Sequence, residues 1–527
     1  MLRNKFYVYG DEYTKIHAHT HFGKELLDNM TKFKDIVALI NAETGEQHTY
    51  GELVQQTINI ALSLTRIGVK KGDVISICSE KRYEVMVTML GAVCAGATYS
   101  PSDPTYGQTP LQHRLNICRP SVMFCSAGAF DHHKTTFDSI ETIKTYIIYD
   151  QEPREGTISF KDFVTETASY EEFLPTPVDG WVDRAFIIFS SGTTGLPKGV
   201  PLTHANVLIF TSYLSNESYK GMPLLNTREW YYTYGMMHTL GCMRGGATIV
   251  FTTSEEESHY LTSIQKHKAR ILQISPSAAI NFSKSDKVQN YDVTSVEYIL
   301  CSSTPIMGEQ IDILGQKFPN LRGVIQLYGT SEGGVPCSTA FAKKGPKSGS
   351  VGLACPSYTI KIVDLETRKP VGPNVRGEIC FKSPAVMLEY LCNNTTDYMD
   401  EEGFFKTGDI GYYDDDKYFY VVNRIKELIK FNDISIAPAE FEAILMQHPA
   451  VLEAGVVGVP HAAHGEAPVA LVVLVPGAQA TEEELVSHLN DRVTFRMRLA
   501  GGVKFVDKLP RGPGEKLDRK SLKKMLE

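Results

Sequence analysis

Short apolar runs that alternate with helical segments are the feature that most restricts the fold of this chain. Five runs have the length and the near-continuous hydrophobicity of buried parallel strands: AFIIFS, ATIVFTT, RILQISP, VEYILCS and GVIQLYG. Between the runs, apolar residues follow a helical spacing, as at Val207, Phe210 and Leu214 after the N-cap candidate Thr203. This alternation predicts a layered α/β fold with functional residues in the loops that follow strand ends.

The pattern changes after about Leu365, where hairpin-like segments such as TRKPVGPNVRGEICFKS replace it. Beyond Asn423 the chain contains the strand candidates LIKF, AGVVGVP and PVALVVLVP, a helix opened by Pro438 and a capping box of Thr481 with Glu484. A chain of 527 residues exceeds what one hydrophobic core holds. We therefore expect a large α/β domain with a β-rich subdomain over residues 1–422 and a small, mobile α+β domain over residues 423–527.

Composition and charge exclude several classes of function. The net charge of −8, without a basic stripe or tail, argues against a nucleic-acid partner. No apolar run has the length of a membrane span, and the ten cysteines form no C-x-x-C pair that would indicate a metal site or a disulfide framework. The first residues lack the apolar core of a signal peptide, and the end, KKMLE, is not an S-K-L type peroxisomal signal, so we expect a cytoplasmic protein without an obligatory protein partner.

One loop is rich in glycine and hydroxyl side chains, FSSGTTGLPKGV, and it follows directly after a predicted strand. Backbone N–H groups in such a loop can approach an anion closely, although a mobile surface turn is the alternative when the loop is considered alone. The spacing is not that of a Walker A motif, because the sixth position from Gly192 is Pro197 and Lys198 precedes a glycine.

The loop from Ser190 to Gly199 resembles the phosphate-binding signature of the adenylate-forming superfamily, which includes acyl-CoA synthetases, 4-coumarate–CoA ligases, peptide-synthetase adenylation domains and beetle luciferases. Four further segments resemble motifs of that superfamily in the same order: QLYGTSE, KTGDIGYYDDD, VNRIKELIK and LPRGPGEKLDRK. The resemblance covers nearly the whole chain. Stretches such as IAPAEFEAILMQHPAVLEAGVVGVP are most similar to the branch of insect luciferases and 4-coumarate–CoA ligases.

The resemblance implies ATP and Mg²⁺ as cofactors, a small carboxylic acid as the substrate, and a set of site residues. The implied catalytic residues are Lys516, Lys430 and Arg424, and the implied metal ligand is Glu332. The implied ATP-binding residues are Ser190, Ser191, Gly192, Thr193, Thr194, Gly195, Lys198, Tyr328, Ser331 and Asp409. The implied substrate pocket contains Tyr232, Tyr234, Gly235, Ser302, Ser303, Thr304 and Gly333.

These residue types suit the formation of an acyl-adenylate, in which two anions must meet and the protein mainly positions groups and neutralises charge. Lys516 would bridge the substrate carboxylate and the α-phosphate, Asp409 would accept hydrogen bonds from the ribose, and Tyr328 would offer a flat face to adenine. Taken alone, each has an ordinary interpretation: a solvated lysine, a turn aspartate and a core tyrosine. The agreement of five motifs in the family's order favours the functional interpretation of all three residues.

Departures from the family pattern bear on the fate of the adenylate. Asp433 stands where CoA-ligating relatives have a glycine that lines the pantetheine tunnel, which favours a luciferase-type oxidation by O₂ over transfer to CoA. Glu515 replaces the glycine that usually precedes the catalytic lysine, and Asn423 replaces a hinge aspartate. Tyr231 and Tyr232 occupy the places of two histidines of beetle luciferases. A CoA ligase stays the alternative, and a non-catalytic relative is disfavoured because the motifs are intact.

Overall fold

The structure of the chain is a computed structural model. It describes residues 4–11, 16–150, 152–190, 197–212, 214, 217–302, 306, 308–342, 344–392, 397–431, 434–461, 465–493, 498–512 and 516–526. Candidates that lie outside the described residues are Ser191, Gly192, Thr193, Thr194, Gly195, Ser303, Thr304, Asp433 and Glu515.

Fourteen α-helices lie in the described part of the chain. They are α1 Phe22–Thr31, α2 Tyr50–Arg66, α3 Tyr83–Cys94, α4 Gln108–Cys118, α5 Ala127–Asp138, α6 Phe160–Phe163, α7 His204–Ser212, α8 Thr233–Arg244, α9 Glu257–His267, α10 Pro276–Lys284, α11 Gly308–Lys317, α12 Pro438–Met446, α13 Glu482–Asn490 and α14 Arg519–Lys524.

The strands of the same residues, in chain order, are β1 Tyr7–Tyr9, β2 Val37–Asn41, β3 Gln47–Thr49, β4 Val74–Cys78, β5 Thr98–Ser102, β6 Val122–Cys125, β7 Thr145–Ile148, β8 Ile158–Ser159, β9 Arg184–Ser190, β10 Lys198–Thr203, β11 Pro223–Asn226, β12 Thr248–Phe251, β13 Ile271–Gln273, β14 Tyr298–Ser302, β15 Gly323–Thr330, β16 Gly334–Ser338, β17 Leu353–Ala354, β18 Thr359–Val363, β19 Pro370–Val371, β20 Gly377–Lys382, β21 Phe405–Tyr413, β22 Phe419–Arg424, β23 Ile429–Phe431, β24 Ile434–Ile436, β25 Val451–His461, β26 Gly465–Leu474 and β27 Val503–Phe505.

Two largely parallel sheets form the centre of the fold. The first has the order β10-β9-β5-β4-β6-β7-β8 and the second the order β17-β16-β15-β14-β13-β11-β12-β2-β3. Within them β9-β5-β4-β6-β7-β8 and β15-β14-β13-β11-β12-β2 are parallel. Buried helices such as α3 and α8 accompany the sheets, so the strands are apolar on both faces, as the sequence predicted.

Two smaller sheets follow in sequence. A third sheet, β1-β18-β20-β21-β22 with β19 beside β18, is antiparallel and brings the first strand of the chain next to residues 359–363. A fourth sheet, β24-β23-β26-β25 with β27 beside β26, lies entirely beyond residue 428 and has its own apolar core around Phe441, Leu445 and Val472. The α/β fold class with a β-rich part and a small α+β part is therefore confirmed.

Several local expectations are also confirmed. The five apolar runs coincide with β9, β12, β13, β14 and β15. The Thr203 hydroxyl accepts from the Asn206 N–H at 3.2 Å at the start of α7, and Thr481 and Glu484 form the reciprocal capping box of α13. The domain boundary stays a prediction: Asn423 and Arg424 lie in β22, where they pair with Ile410 and Asp409 of β21.

None of the helices in the described part of the chain is both long enough and apolar enough to cross a membrane. The cysteines, all of which are described, are free thiols; nine are buried and Cys392 is exposed.

A backbone contact at Gly352 joins the second sheet to the third. The Gly352 carbonyl accepts from the Phe419 N–H at 2.8 Å, and the Phe419 carbonyl accepts from the Val351 N–H at 2.8 Å. Gly352 has a φ of +88°, and a Cβ there would lie 2.1 Å from the Ser338 carbonyl oxygen. The junction fixes β22 relative to β16, and it leaves no room for a side chain.

Replacing Gly352 with alanine tests this junction. We expect Gly352→Ala to lower the free energy of unfolding by about 3 kcal/mol or more, because it combines a left-handed backbone with a clash against a carbonyl. Gly345→Ala is the matched control: Gly345 also has a φ of +88°, but nothing lies within 4 Å of the added carbon, so only the backbone term of about 1 kcal/mol is expected. Urea unfolding of both variants measures the difference, and equal losses would contradict this account.

Candidate active site

Most of the described candidate residues from the first two sheets lie at or near the ends of their strands. Ser190 is the last residue of β9 and Ser302 the last of β14, while Tyr328 lies near the end of β15. Ser302 pairs with Leu327, directly before Tyr328. The carboxyl edges of parallel sheets are where α/β proteins bind ligands, because loops from several strands converge there.

The Asp409 carboxylate is the best-defined group of the site. It is only 5 % exposed, and each of its oxygens accepts one hydrogen bond. The Tyr328 hydroxyl donates to Oδ2 at 2.8 Å, and the Arg424 Nε donates to Oδ1 at 2.9 Å. The neighbouring carboxylate raises the pKa of the Arg424 guanidinium, which therefore stays charged. Because an ionised carboxylate accepts at about four lone-pair positions, Asp409 retains capacity for further donors.

A turn within β21 holds Asp409 in place. The Asp409 N–H donates to the Thr407 hydroxyl oxygen at 2.9 Å, and that hydroxyl donates to the Ile379 carbonyl at 2.7 Å. The Gly408 N–H donates to the buried Glu378 carboxylate at 3.0 Å. These bonds replace the ladder contacts that the strand loses where its register with β20 shifts.

Tyr328 contributes its hydroxyl group to the site, in addition to the flat ring face that the sequence suggested for adenine. The residue is 8 % exposed, and its hydroxyl is committed to Asp409. Burial, with the negative charge of Asp409 in addition, raises the pKa of the Tyr328 phenol well above its ordinary value. The phenol is therefore a permanent donor that orients the carboxylate.

Glu332, the implied metal ligand, lies beside the hairpin that carries Lys198. Its carboxylate is 9 % exposed and accepts from the Tyr390 hydroxyl at 2.9 Å. The Lys198 ammonium stands over the Tyr390 ring, 4.8 Å from its centroid. Tyr390 thus bridges the carboxylate and the lysine, and it holds opposite charges close to each other without a direct ion pair.

The hairpin of β9 and β10 frames the glycine-rich loop. Lys198 pairs with Ser190 and Gly199 with Phe189 in antiparallel register, so the two ends of the loop are adjacent. Gly199 also forms a bridge with Leu391, next to Tyr390.

The implied substrate pocket is built around the start of α8. The Thr233 and Ser331 hydroxyls lie 2.9 Å apart, which joins α8 to the segment of Glu332. The Tyr232 hydroxyl donates to Asp103 at 2.8 Å, and the Tyr234 hydroxyl donates to the Leu300 carbonyl at 2.9 Å. Both phenols are therefore bonded to the protein itself.

Two glycines of the implied pocket have packing roles. A Cβ on Gly235 would lie 2.1 Å from the Glu229 carbonyl oxygen, so glycine allows α8 to start against the preceding loop. The Gly333 carbonyl accepts from the Tyr358 hydroxyl at 2.7 Å, which fixes the backbone next to Glu332.

Lys516 of the last segment is influenced by the same charged groups. Part of the residue is open to solvent while the protein around it partly desolvates its ammonium group, and its carbonyl accepts from the Gly512 N–H at 2.7 Å. Desolvation, with the positive charge of Arg424 in addition, lowers the pKa of the Lys516 ammonium, while the carboxylates of Asp409 and Glu332 act in the opposite direction. The charges of Arg424, Asp409 and Glu332 therefore act on the Lys516 ammonium, although these residues precede Lys516 by 92 to 184 positions in the sequence.

Lys430 and Asn423 have other surroundings. Lys430 lies on β23 with an exposed side chain, and its N–H donates to Glu466 at 2.8 Å. Asn423 is 6 % exposed, and its side-chain Nδ2 has no hydrogen-bond partner among the described residues. The expected roles of Lys430 in a second step and of Asn423 as a hinge stay predictions.

The sequence did not single out Tyr390, Thr233 or Asp103. Each acts through a partner far along the chain: Tyr390 through Glu332, Thr233 through Ser331 and Asp103 through Tyr232. None of the three belongs to a sequence motif that would identify it as a site residue. The one sequence clue is that Thr233 directly follows Tyr232, a residue of the implied substrate pocket.

Comparison with known proteins identifies the family of the chain. The family model described as "AMP-binding enzyme" matches residues 26–391, and that of the "AMP-binding enzyme C-terminal domain" matches residues 440–516. The luciferin 4-monooxygenase of Nipponoluciola cruciata is 33 % identical over 519 residues, which cover 96 % of this chain and 94 % of that protein.

Two further relatives show the breadth of the group. The 4-coumarate–CoA ligase 3 of Arabidopsis thaliana is 33 % identical over 95 % of this chain and 90 % of its own length. The luciferase-like enzyme of the nonluminescent mealworm Zophobas morio has a solved structure that superimposes with a TM-score of 0.74 at 29 % identity, covering 80 % of this chain and 100 % of that one. This chain therefore belongs to the AMP-binding, adenylate-forming enzyme family, in the branch that contains luciferases and acyl-CoA ligases.

Proposed function

We propose that the protein activates a small carboxylic acid with ATP and transfers the acyl group to CoA. In the first step a carboxylate oxygen attacks the α-phosphorus, the bond to the bridging oxygen breaks, and pyrophosphate leaves. In the second step the thiol of CoA, as its thiolate, attacks the acyl carbon and AMP leaves. The observation that carries the first step is the contact of Arg424 with the buried Asp409 at 2.9 Å, together with the electrostatic influence of both residues and of Glu332 on Lys516.

The charges of the site suit the first step. Lys198, Arg424 and Lys516 supply three cations for the triphosphate and the carboxylate, which repel each other in water. Asp409 keeps lone pairs for the ribose hydroxyls after accepting from Tyr328 and Arg424. The protein thus positions the nucleotide at one end by hydrogen bonds and at the other by charge.

Glu332 fits a magnesium ion as its one protein carboxylate. Mg²⁺ is commonly bound through one or two carboxylates together with substrate phosphates and water, so a cluster of ligands is not required. No group of three or more His, Cys, Asp or Glu side chains among the described residues is arranged to hold a metal by itself. When bound, the ion would neutralise charge on the phosphate oxygens, and the Tyr390 hydroxyl would keep the carboxylate oriented.

Tyr231 and Tyr232 support CoA as the acceptor. Burial raises the pKa of both phenols far above neutral pH, and Tyr232 already donates to Asp103. The oxidation of an adenylate by O₂ needs a base that removes a proton beside the acyl carbon. Beetle luciferases have histidines at these two positions, whereas neither protonated phenol can act as that base. The proposed transfer to CoA differs from the luciferase-type oxidation that the sequence favoured.

The second candidate is the luciferase-type oxidation with O₂ and light emission, and the observation in its favour is Asp433. An acidic side chain in place of glycine would narrow the path of the pantetheine arm and repel the phosphates of CoA. The residue lies outside the described part of the chain, and the second test below separates the two acceptors.

The first test concerns Lys516. Lys516→Ala is expected to lower acid-dependent ATP–pyrophosphate exchange by about 10²–10³-fold with little change in ATP affinity, because the contact forms mainly in the transition state. Lys508→Ala, an exposed lysine of the same segment, is the matched control and should exchange normally.

The pH profile of the same reaction gives an independent readout. The reaction needs protonated Lys516, and the lowered pKa means that the proton is lost below the usual range of lysine, so kcat/KM should fall with rising pH below about 10. In Lys516→Arg that decline should disappear, since guanidinium stays protonated. Unimpaired exchange by Lys516→Ala would refute the role.

The second test separates the two acceptors. Wild-type protein and Asp433→Gly are incubated with ATP, Mg²⁺, CoA and a panel of aromatic and fatty acids under air, and thioester and light are measured together. A CoA ligase forms thioester without light, and Asp433→Gly should raise that rate by about threefold or more if the carboxylate obstructs the tunnel. Adenylate without thioester, together with light from one acid, would favour the luciferase reaction instead.

A further inference from the structure

Helix α4 carries a buried arginine that belongs to none of the five motifs. Arg114 is 4 % exposed, and its Nε has no hydrogen-bond partner among the described residues. The guanidinium lies between two rings, 4.3 Å from the centroid of Tyr106 and 4.8 Å from that of Phe189. Phe189 directly precedes Ser190, the last residue of β9, so the cation stands behind the hairpin that carries Lys198.

The charge of Arg114 is only partly compensated. In the described part of the chain no carboxylate lies within 4.0 Å of its guanidinium, whose contacts are the faces of the Tyr106 and Phe189 rings. Burial lowers the pKa of Arg114, with Tyr106, Tyr232 and Asp103 acting in the opposite direction. A buried cation without a paired anion is costly, and two aromatic faces offset part of that cost. An anionic ligand nearby would offset more of it.

The same helix contacts the other end of the hairpin turn. His113, the residue before Arg114, forms a hydrogen bond between its Nε2 and the Pro197 carbonyl oxygen at 3.0 Å. Pro197 precedes Lys198, just as Phe189 precedes Ser190. Two consecutive residues of α4 therefore hold both described ends of the turn.

Arg114 is also linked to the substrate pocket. The Tyr106 ring contacts the Arg114 guanidinium, and its hydroxyl interacts electrostatically with Tyr232. Tyr232 donates to Asp103, and the next residue, Thr233, contacts Ser331. The chain of contacts runs from the phosphate hairpin to the start of α8 through side chains alone.

We propose that Arg114 is a positioning residue for the nucleotide: its guanidinium fixes the Phe189 end of the hairpin and supplies positive charge for the triphosphate of ATP. The inference rests on the proposed function, since it assumes that ATP binds at this hairpin. It predicts that affinity for ATP depends on the charge at position 114 and not only on the volume of the side chain.

Calorimetric titration of the full-length protein with ATP and Mg²⁺, without any acid or CoA, tests the proposal. Arg114→Met keeps most of the volume and removes the charge, and it should weaken ATP binding by about tenfold. Arg114→Lys keeps the charge and should bind within about threefold of wild type. Arg119→Met is the matched control, because Arg119 is an exposed arginine at the end of the same helix, and it should bind ATP like wild type.

Wild-type affinity in Arg114→Met, or equal losses in the Met and Lys variants, would overturn the proposal. Should Arg114→Met fail to fold, Tyr106→Leu provides the second test: it removes the aromatic ring that faces the guanidinium at 4.3 Å, and it should weaken ATP binding by about threefold. Unchanged ATP affinity in Tyr106→Leu would then overturn the proposal. The inference depends only on the adenylation step, and failure of that step is distinguishable, since wild-type protein would then not bind ATP at all.

Discussion

A buried carboxylate held by two donors from different strands is the interaction on which the site depends. Asp409 lies on β21, Arg424 on the neighbouring β22 of the third sheet, and Tyr328 on β15 of the second sheet. An isolated charge at 5 % exposure would be costly, so the two sheets must meet in the one arrangement that supplies both donors. The backbone junction at Gly352 supports the same arrangement from the other side.

Arg424 is paired with Asp409, whereas three other cations have no carboxylate within 4.0 Å among the described residues. Lys198 faces the Tyr390 ring, and desolvation with the charge of Arg424 in addition lowers the pKa of Lys516. Arg114 lies between two rings behind the hairpin. Aromatic contacts stabilise a cation without cancelling its charge, so these groups keep an electrostatic pull on anions that closed salt bridges would lack. Such preorganised charge is what a reaction between two anions requires.

Much of the fold could be predicted from the sequence, because strands that are buried on both faces must be nearly continuous apolar runs, and β9, β12, β13, β14 and β15 are. Helix caps such as Thr203 and Thr481 could also be predicted, because each is bonded to a residue only three positions away in the sequence. The antiparallel register of the third sheet and its junction with the second were not predicted, because they depend on contacts between distant segments.

In the candidate site, too, residues in sequence motifs were predicted, and contacts between distant segments were not. Tyr328, Glu332 and Asp409 stand in motifs, so their presence at one edge was expected, yet the bond from Tyr328 to Asp409 spans 81 residues and has no sequence signal. Tyr390 and Asp103 act only through distant partners, and Arg114 looks like any other helical arginine until its burial is known.

The most direct test of the account is a crystal structure of the protein with ATP and Mg²⁺. We predict that the ribose hydroxyls donate to the Asp409 carboxylate while the bonds from Tyr328 and Arg424 persist, and that the triphosphate extends towards Lys198 and Glu332. A nucleotide bound away from Asp409, or a Tyr328 hydroxyl that leaves Asp409 to contact the nucleotide, would contradict it.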